Sequence, residues 1–250
     1  MRSKRENLKR HMTGKLTSKI YEIGYNLHLT RRLELEMLRN WIIFNQGERI
    51  CDIGCGKGIL DKIISKKTIA ICGLDSDWAN VKLAKRINKN TPNHFIEGHS
   101  EELPFKASIF DKIICNCALE HFQDDRRAIL EISRVLKPKG LFFLTVDSFS
   151  YHRISDHFKE SHRKKEKVFN FYNMESLKRK LENGMFRVME QKYYVKSRAS
   201  SFFFRLGGKL NFGPSFLLTF PISYPLSVIG DHFSNDEGGY CLAVLAKKLI

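Results

Sequence analysis

Residues 50–58 read ICDIGCGKG. An apolar run stops at Gly54, Gly56 and Gly58, three glycines at every second position. Glycine at a strand-to-helix turn lets the backbone approach a ligand closely, and the free amides at a helix start favour negative charge. A nucleotide cofactor is the expected guest, and the spacing selects among such guests. The dinucleotide fingerprint GxGxxG needs its third glycine or alanine at position 59, which is Ile59. The pattern here is GxGxG, which disfavours a pyrophosphate. No GK[ST] follows to make a phosphate-binding loop. A tight structural turn is the alternative reading of such a loop taken alone.

Outward from the loop, strands and helices alternate. The pattern predicts strands over 49–53, 68–74, 94–96, 111–115 and 141–146, with helices over 58–65, 78–88 and 126–136 between them. Such alternation gives a parallel sheet covered on both faces, and right-handed crossovers make it doubly wound. After Asp147 the rhythm changes. Residues 148–169 are polar and basic, 173–182 read as a helix and 186–195 as a strand. A long aromatic-rich insertion fills 199–233, and 239–247 read as a final strand. Residues 1–46 read as amphipathic helices with breaks at Gly14 and Gly24. Leu33, Leu35, Leu38, Trp41 and Ile42 recur there at roughly helical spacing. One domain over 1–250 is expected: a helical lid (1–46), a cofactor-binding core (47–147) and a substrate-side half (148–250) carrying the insertion.

Further motifs follow the glycine loop. Gly73-Leu74-Asp75 ends the second strand, where a carboxylate can accept both hydroxyls of a ribose. The alternative is a helix N-cap, a role open equally to Ser76 or Asp77. Then come EGHSEELPF (97–105), Phe110-Asp111, LEHF (119–122) and RVLKPKG (134–140). With these motifs in this order, the chain closely resembles the class I S-adenosylmethionine-dependent methyltransferases. The match is to the small-molecule branch with a type 11-like domain, which includes quinone and sterol methyltransferases. The resemblance covers roughly 50–146, and more loosely 171–195 and 239–247.

The resemblance implies an α/β, doubly wound, seven-stranded, mostly parallel sheet with the last strand antiparallel, a Rossmann-like methyltransferase fold. To this the chain adds the N-terminal helices and the apolar insertion before the last strand. The implied cofactor is S-adenosyl-L-methionine. Asp52, Gly54, Gly56 and Gly58 would surround its methionine part and Asp75 would hold the ribose. His99 and Ser100 would border the adenine, and Asn116 and Cys117 would offer backbone near the methionine amino group. Cys55 and Ser76 complete the expected cofactor-binding set. Two positions depart from the family. His99 stands where Asp is usual, and a neutral imidazole accepts through one nitrogen only. Pro138-Lys139-Gly140 replaces Pro-Gly-Gly, with Gly140 expected to preserve the turn.

The sulfonium of that cofactor already activates the methyl group, so the protein must align a nucleophile and exclude water. A base is needed only when the acceptor must lose a proton. His121 is the candidate base, its alternative being a structural residue of the LEHF turn. Glu120 reads as an ion-pair or cap residue. Asp147 faces the same mouth. His152 and His157 read as solvated loop histidines. Tyr21 and Tyr25 either close over the cofactor or pack as lid.

Lys and Arg number 43 against 27 Asp and Glu, a formal net charge of +16. That excess faces RNA, anionic lipid or phosphorylated substrates, or is solvated as a lysine-rich surface. Its densest runs are 2–10 and 162–167. A hydrophobic fraction of 42% excludes a disordered chain. The stretch 212–229 holds three prolines, so no membrane span is expected there. The insertion carries Phe212, Phe216, Phe220, Tyr224 and Leu226, flanked by Arg198, Arg205 and Lys209. It can roof a hydrophobic acceptor, touch an anionic membrane peripherally through 201–229, or pack as a helical hairpin. Six cysteines without a CxxC pair argue against a zinc site and suit a reducing, cytoplasmic setting. No signal peptide is visible. The expected activity is methyl transfer to a small, apolar or lipid-linked acceptor. The alternatives are an RNA acceptor and a cofactor-binding scaffold without turnover. No RNA-binding module and no Asn-Pro-Pro-aromatic signature is present to support the RNA reading.

Overall fold

The computed structural model describes residues 16, 18–65, 69–151, 154–210, 213–235 and 237–250. The expected break at Gly14, the basic run 2–10, His152 and Phe212 lie outside the described residues. Seven strands form one sheet: β1 (Arg49–Ile53), β2 (Ala70–Asp75), β3 (His94–Glu97), β4 (Phe110–Asn116), β5 (Leu136–Asp147), β6 (Phe186–Tyr194) and β7 (Cys241–Lys248). Their order is β3-β2-β1-β4-β5-β7-β6. β7 runs antiparallel to β5 and β6, and the pairings among β1 to β5 are parallel. Central strands buried on both faces must be apolar throughout, which is why 50–53 and 112–115 read as continuous runs.

Helices cover both faces. On one, α2 (Leu29–Trp41) and α3 (Ile59–Ile64) bring Leu35, Leu38, Leu60 and Ile64 against Ile50, Ile71, Ile114 and Phe143. On the other, α5 (Asp125–Val135) and α7 (Met174–Asn183) bring Ile129, Ile132, Leu177 and Leu181 against Cys115, Phe142, Leu144 and Val244. Before α2, residues 18–27 form α1. α4 (Trp78–Ile87) packs Val81 and Ala84 on Phe95 and Cys55.

The structure differs from the expected elements in several places, the first being α1, which runs through Gly24 without the expected break. β5 starts at Leu136, five residues early, because Leu136 pairs with Phe110 before the register shifts. Lys139 carries the left-handed turn (φ 64°). Gly140 is needed for space instead, since a Cβ there would lie 2.7 Å from Leu136 Cδ1. The polar, basic stretch after Asp147 holds a helix, α6 (Asp156–Glu166), capped by Ser155 and closed by Lys167 at φ 57°. The insertion is a helical hairpin: α8 (Arg198–Lys209), the short α9 (Pro214–Leu217) and α10 (Phe220–His232). Among the described residues no helix is long and apolar enough to cross a membrane.

Candidate active site

The carboxyl ends of β1, β2 and β4 open into a crevice of about 1040 Å³. It lies where the chain order reverses between β1 and β4, the switch point at which open α/β sheets bind ligands. The glycine loop forms its floor. A Cβ on Gly58 (φ 64°) would lie 2.8 Å from the Phe95 ring and 2.9 Å from Ala84 Cβ, so that glycine serves packing. A Cβ on Gly56 (φ 52°) would meet nothing within 4 Å. Its bare backbone faces open crevice, space that a ligand can use.

Asp75 closes the lip. Its Oδ2 accepts the Gly56 N–H at 2.8 Å, and its Oδ1 accepts the Asp77 N–H at 2.9 Å. The cap of α4 is Asp77, which accepts the Ala79 N–H at 2.8 Å. Asp75 is therefore not the N-cap of that helix. Ser76 and His99 are exposed on the rim, while Ser100 is buried and donates to Glu101 Oε2 at 2.8 Å. Cys55 lines the crevice, yet its side chain packs into the cluster of Val81, Ala84 and Phe95. Its thiol is pushed up by that burial. Any ligand contact from Cys55 is therefore a backbone contact.

Asp52 sits 2% exposed. Burial and the Asp75 charge push its carboxyl up to about 7. Opposite stands Asp61 of α3, fully buried and raised well above the carboxylate range, first by burial and then by the Asp52 charge. Two facing carboxyls in an apolar setting cannot both ionise cheaply. Asp52 and Asp61 lie within hydrogen-bond reach of each other, and Asp52 also lines the crevice.

The other crevice groups join a network that sequence reading did not find. Glu34 of α2 is 2% exposed and collects four donors. They are Arg31 Nη1 (2.9 Å), Asn116 Nδ2 (2.7 Å), Tyr194 Oη (3.0 Å) and Cys117 Sγ (3.3 Å). Cys117 holds a left-handed backbone (φ 49°), uncommon off glycine, with its N–H given to Thr145 O at 2.9 Å. An ammonium needs a carbonyl and not an N–H, so this commitment leaves the expected backbone role intact. From α1, Tyr25 lines the crevice with a buried hydroxyl that has no partner, and burial raises its phenol. Lys57 of the loop sits 5.3 Å over the Tyr21 ring.

A second cavity, of about 370 Å³, adjoins the crevice and shares Arg31, Cys117 and His121 with it. His121 is exposed, its Nδ1 3.3 Å from Lys167 O. Glu120 is not the ion-pair or cap residue expected. It is 1% exposed, and its Oε1 accepts the Asp147 N–H at 3.2 Å. Its carbonyl accepts the Phe169 and Asn170 N–H groups, and its Oε2 has no partner. Burial and the Asp147 charge raise it well above its ordinary value, which favours the neutral acid. Asp147 Oδ2 lies 2.7 Å from His162 Nε2, and the His162 ring packs on Phe149 at 4.4 Å. His162 is hidden in the sequence as the first residue of a charge run. His157 lies exposed on α6, as a solvated residue would.

Residues 51–144 match the family model described as a methyltransferase domain. An uncharacterized methyltransferase, YcgJ of Bacillus subtilis, is 34% identical over 133 residues, covering 46% of this chain and 52% of the relative. The ubiquinone biosynthesis O-methyltransferase of Paracidovorax citrulli is 32% identical over 110 residues, covering 41% and 45%. The chain thus spans about half the length of the curated relatives it matches. Among solved structures, YcgJ superposes with a TM-score of 0.63 at 19% identity, over 88% of this chain and 99% of that one. Phosphoethanolamine N-methyltransferase 2 of Haemonchus contortus, solved with S-adenosyl-L-methionine, gives 0.67 at 19% identity, over 88% and 53%. At such identities these likenesses show the fold. The open space at Gly56 and the Asp52 carboxyl on the crevice wall leave room for the methionine end of that cofactor. Residues 51–144 are thus similar to a methyltransferase domain, and the sheet that carries them has the fold of the solved methyltransferases.

Proposed function

We propose that the chain transfers the methyl group of S-adenosylmethionine to a small, apolar or lipid-linked acceptor. The observation that carries this reading is the junction of the two cavities at Cys117 and His121, a place where cofactor and acceptor can meet in line. Bound S-adenosylmethionine supplies a methyl already activated for transfer. The chain's own residues bind, orient and exclude water. Asp52, Gly54, Gly56 and the backbone of Cys55, Asn116 and Cys117 take the methionine end, while Gly58, expected there from the sequence, packs against Phe95 and Ala84 behind the loop. Asp75 and Ser76 take the ribose, and His99 and Ser100 the adenine. Tyr21 and Tyr25 of α1 lie over the loop and shield it from water.

Three histidines line the acceptor cavity, His28, His121 and His162, and the last two are the proposed proton acceptors where the nucleophile carries a proton. His121 stands at the junction. His162 is the one oriented by a carboxylate, with Asp147 fixing one ring nitrogen.

The hairpin supports a lipid setting. α10 is inverted, burying Ser223, Ser227 and Asp231 while exposing Ile222 (63%), Leu226 (48%), Ile229 (56%) and Phe233 (83%). The hydroxyls of Ser201, Ser223 and Ser227 are buried without partners. Small residues between helices and large apolar ones outside are the pattern of helices that lie in lipid. With a formal charge of +16, an anionic bilayer is the proposed surface. An RNA acceptor draws on the same charge but has no structural feature behind it.

The test is incubation with methyl-labelled cofactor and separated lipid, small-molecule, RNA and protein pools. Label in the lipid or apolar small-molecule pool is expected. Label confined to RNA would replace the acceptor assignment. No label anywhere, with cofactor bound, would favour the silent scaffold.

A further inference from the structure

A third cavity, of about 530 Å³, lies between α6 and α8. Its walls are the apolar Ile154, Phe158, Phe202, Leu206 and Tyr240, joined by Ser155, Arg205 and Lys209. It shares Phe158, Arg205 and Lys209 with the acceptor cavity, which itself shares Cys117 and His121 with the cofactor crevice. The three spaces form a series: cofactor crevice, polar acceptor cavity, apolar groove. Two cations mark the boundary between the second and the third.

The charges around the acceptor cavity are otherwise matched. Arg31 is held by Glu34 at 2.9 Å, His162 by Asp147 at 2.7 Å, and Lys165 by Glu166 at 3.7 Å. Glu120 favours its neutral form. Arg205 and Lys209 stand four residues apart on one face of α8, both exposed. Among the described residues neither has a carboxylate within ion-pair distance. Two cations one helical turn apart suit an anionic group that both can reach. An anion fixed at that boundary has a polar chamber on one side and a groove of aromatic and aliphatic walls on the other.

This inference rests on the methyltransferase reading and names its acceptor more closely. We propose that the acceptor is an anionic amphiphile: a phosphate or carboxylate held by Arg205 and Lys209, an apolar tail lying in the groove of Phe158, Phe202, Leu206 and Tyr240, and the reacting polar end reaching the chamber of His121 and His162. Phe202, on the groove wall, is 56% exposed, so a tail can pass between groove and bilayer without crossing water.

The test is calorimetric titration of the full chain with dodecyl phosphate, octyl phosphate, inorganic phosphate and dodecyltrimethylammonium, all below their micellar concentrations. Dodecyl phosphate should bind at least tenfold tighter than octyl phosphate and at least a hundredfold tighter than inorganic phosphate. The double variant Arg205→Ala, Lys209→Ala should lose at least tenfold for dodecyl phosphate. Leu206→Asn should flatten the dependence on chain length. Unchanged thermal midpoints would show that both variants fold. Equal binding of dodecyltrimethylammonium, or full retention by the double variant, would overturn the proposal. Inorganic phosphate binding as tightly as the amphiphile would overturn it too, and would assign the two cations to a free anion. S-adenosylhomocysteine titrated into the same samples reports on the cofactor crevice separately, so the acceptor proposal and the methyltransferase reading can fail independently.

Discussion

The Asp75 carboxylate holds the backbone N–H of Gly56 at 2.8 Å, tying the tip of the glycine loop to the end of the second strand. One side chain thus fixes the cradle and is also the one proposed to hold the ribose. The glycines of the loop divide by role, which gives a direct contrast. Gly56→Ala meets open space and costs only a left-handed backbone, about 1–2 kcal/mol. Its melting midpoint should fall by roughly 2–8 °C while cofactor affinity falls at least tenfold. Gly58→Ala drives a methyl into Phe95 and Ala84 and should cost about 2–5 kcal/mol. Thermal melts with S-adenosylhomocysteine titrations check both; the reverse ranking of stability would contradict the packing argument.

The Asp52–Asp61 pair sets a pH dependence. Asp52 titrates near 7 in the folded chain, against about 3.9 when unfolded. The folded chain therefore binds the extra proton between about pH 4 and 7, and stability from this group is lost as pH rises through that window. Asp61→Asn keeps the shape, removes one acid and leaves an amide to donate to Asp52. It should raise stability at pH 8 by about 2 kcal/mol and change little at pH 4.5. Denaturant melts at the two pH values read this directly, and equal effects at both would refute the coupling.

The two histidines separate by kinetics. His162→Gln should lower kcat by about 10²–10³ and remove the acidic limb of the pH–rate profile, because Asp147 orients that ring. His121→Gln should cost about tenfold and keep the limb. A profile flattened by the His121 change alone would move the base to the junction.

The inverted α10 should bind anionic vesicles. Co-sedimentation with phosphatidylcholine–phosphatidylglycerol vesicles is expected, with little on phosphatidylcholine alone. The double variant Leu226→Asp, Ile229→Asp should lose at least tenfold in partitioning and hold its melting midpoint, since both side chains are exposed. A dimer in solution that the same variant dissociates, with no vesicle binding by the parent, would make this face a self-association surface.

Much of the fold was legible because its determinants are local. Continuous apolar runs gave β1, β2 and β4 to within two residues, and Gly54, Gly56 and Gly58 marked the turn at the crevice. The cap of α4 was open between neighbouring residues in the sequence and is Asp77 in the structure. What stayed hidden depends on contacts far apart in the chain. Glu34 reaches Asn116 and Tyr194 across 82 and 160 positions, and no local pattern announces such a hub. His162 reads as part of a basic run until α6 turns it onto Asp147. The hydrophobicity of α10 was visible, but its orientation was not, because only the packing against α8 decides that Ser223 and Ser227 face inward.

The central claim is tested most directly by calorimetric titration of S-adenosylhomocysteine and of NADH into the parent chain and into Asp75→Ala. The account predicts one site for S-adenosylhomocysteine in the parent, no measurable heat from NADH, and a loss of about 10–100-fold in Asp75→Ala, the scale of hydrogen bonds to a charged group. Saturable NADH binding without S-adenosylhomocysteine binding, or an Asp75→Ala variant of unchanged affinity, would contradict it.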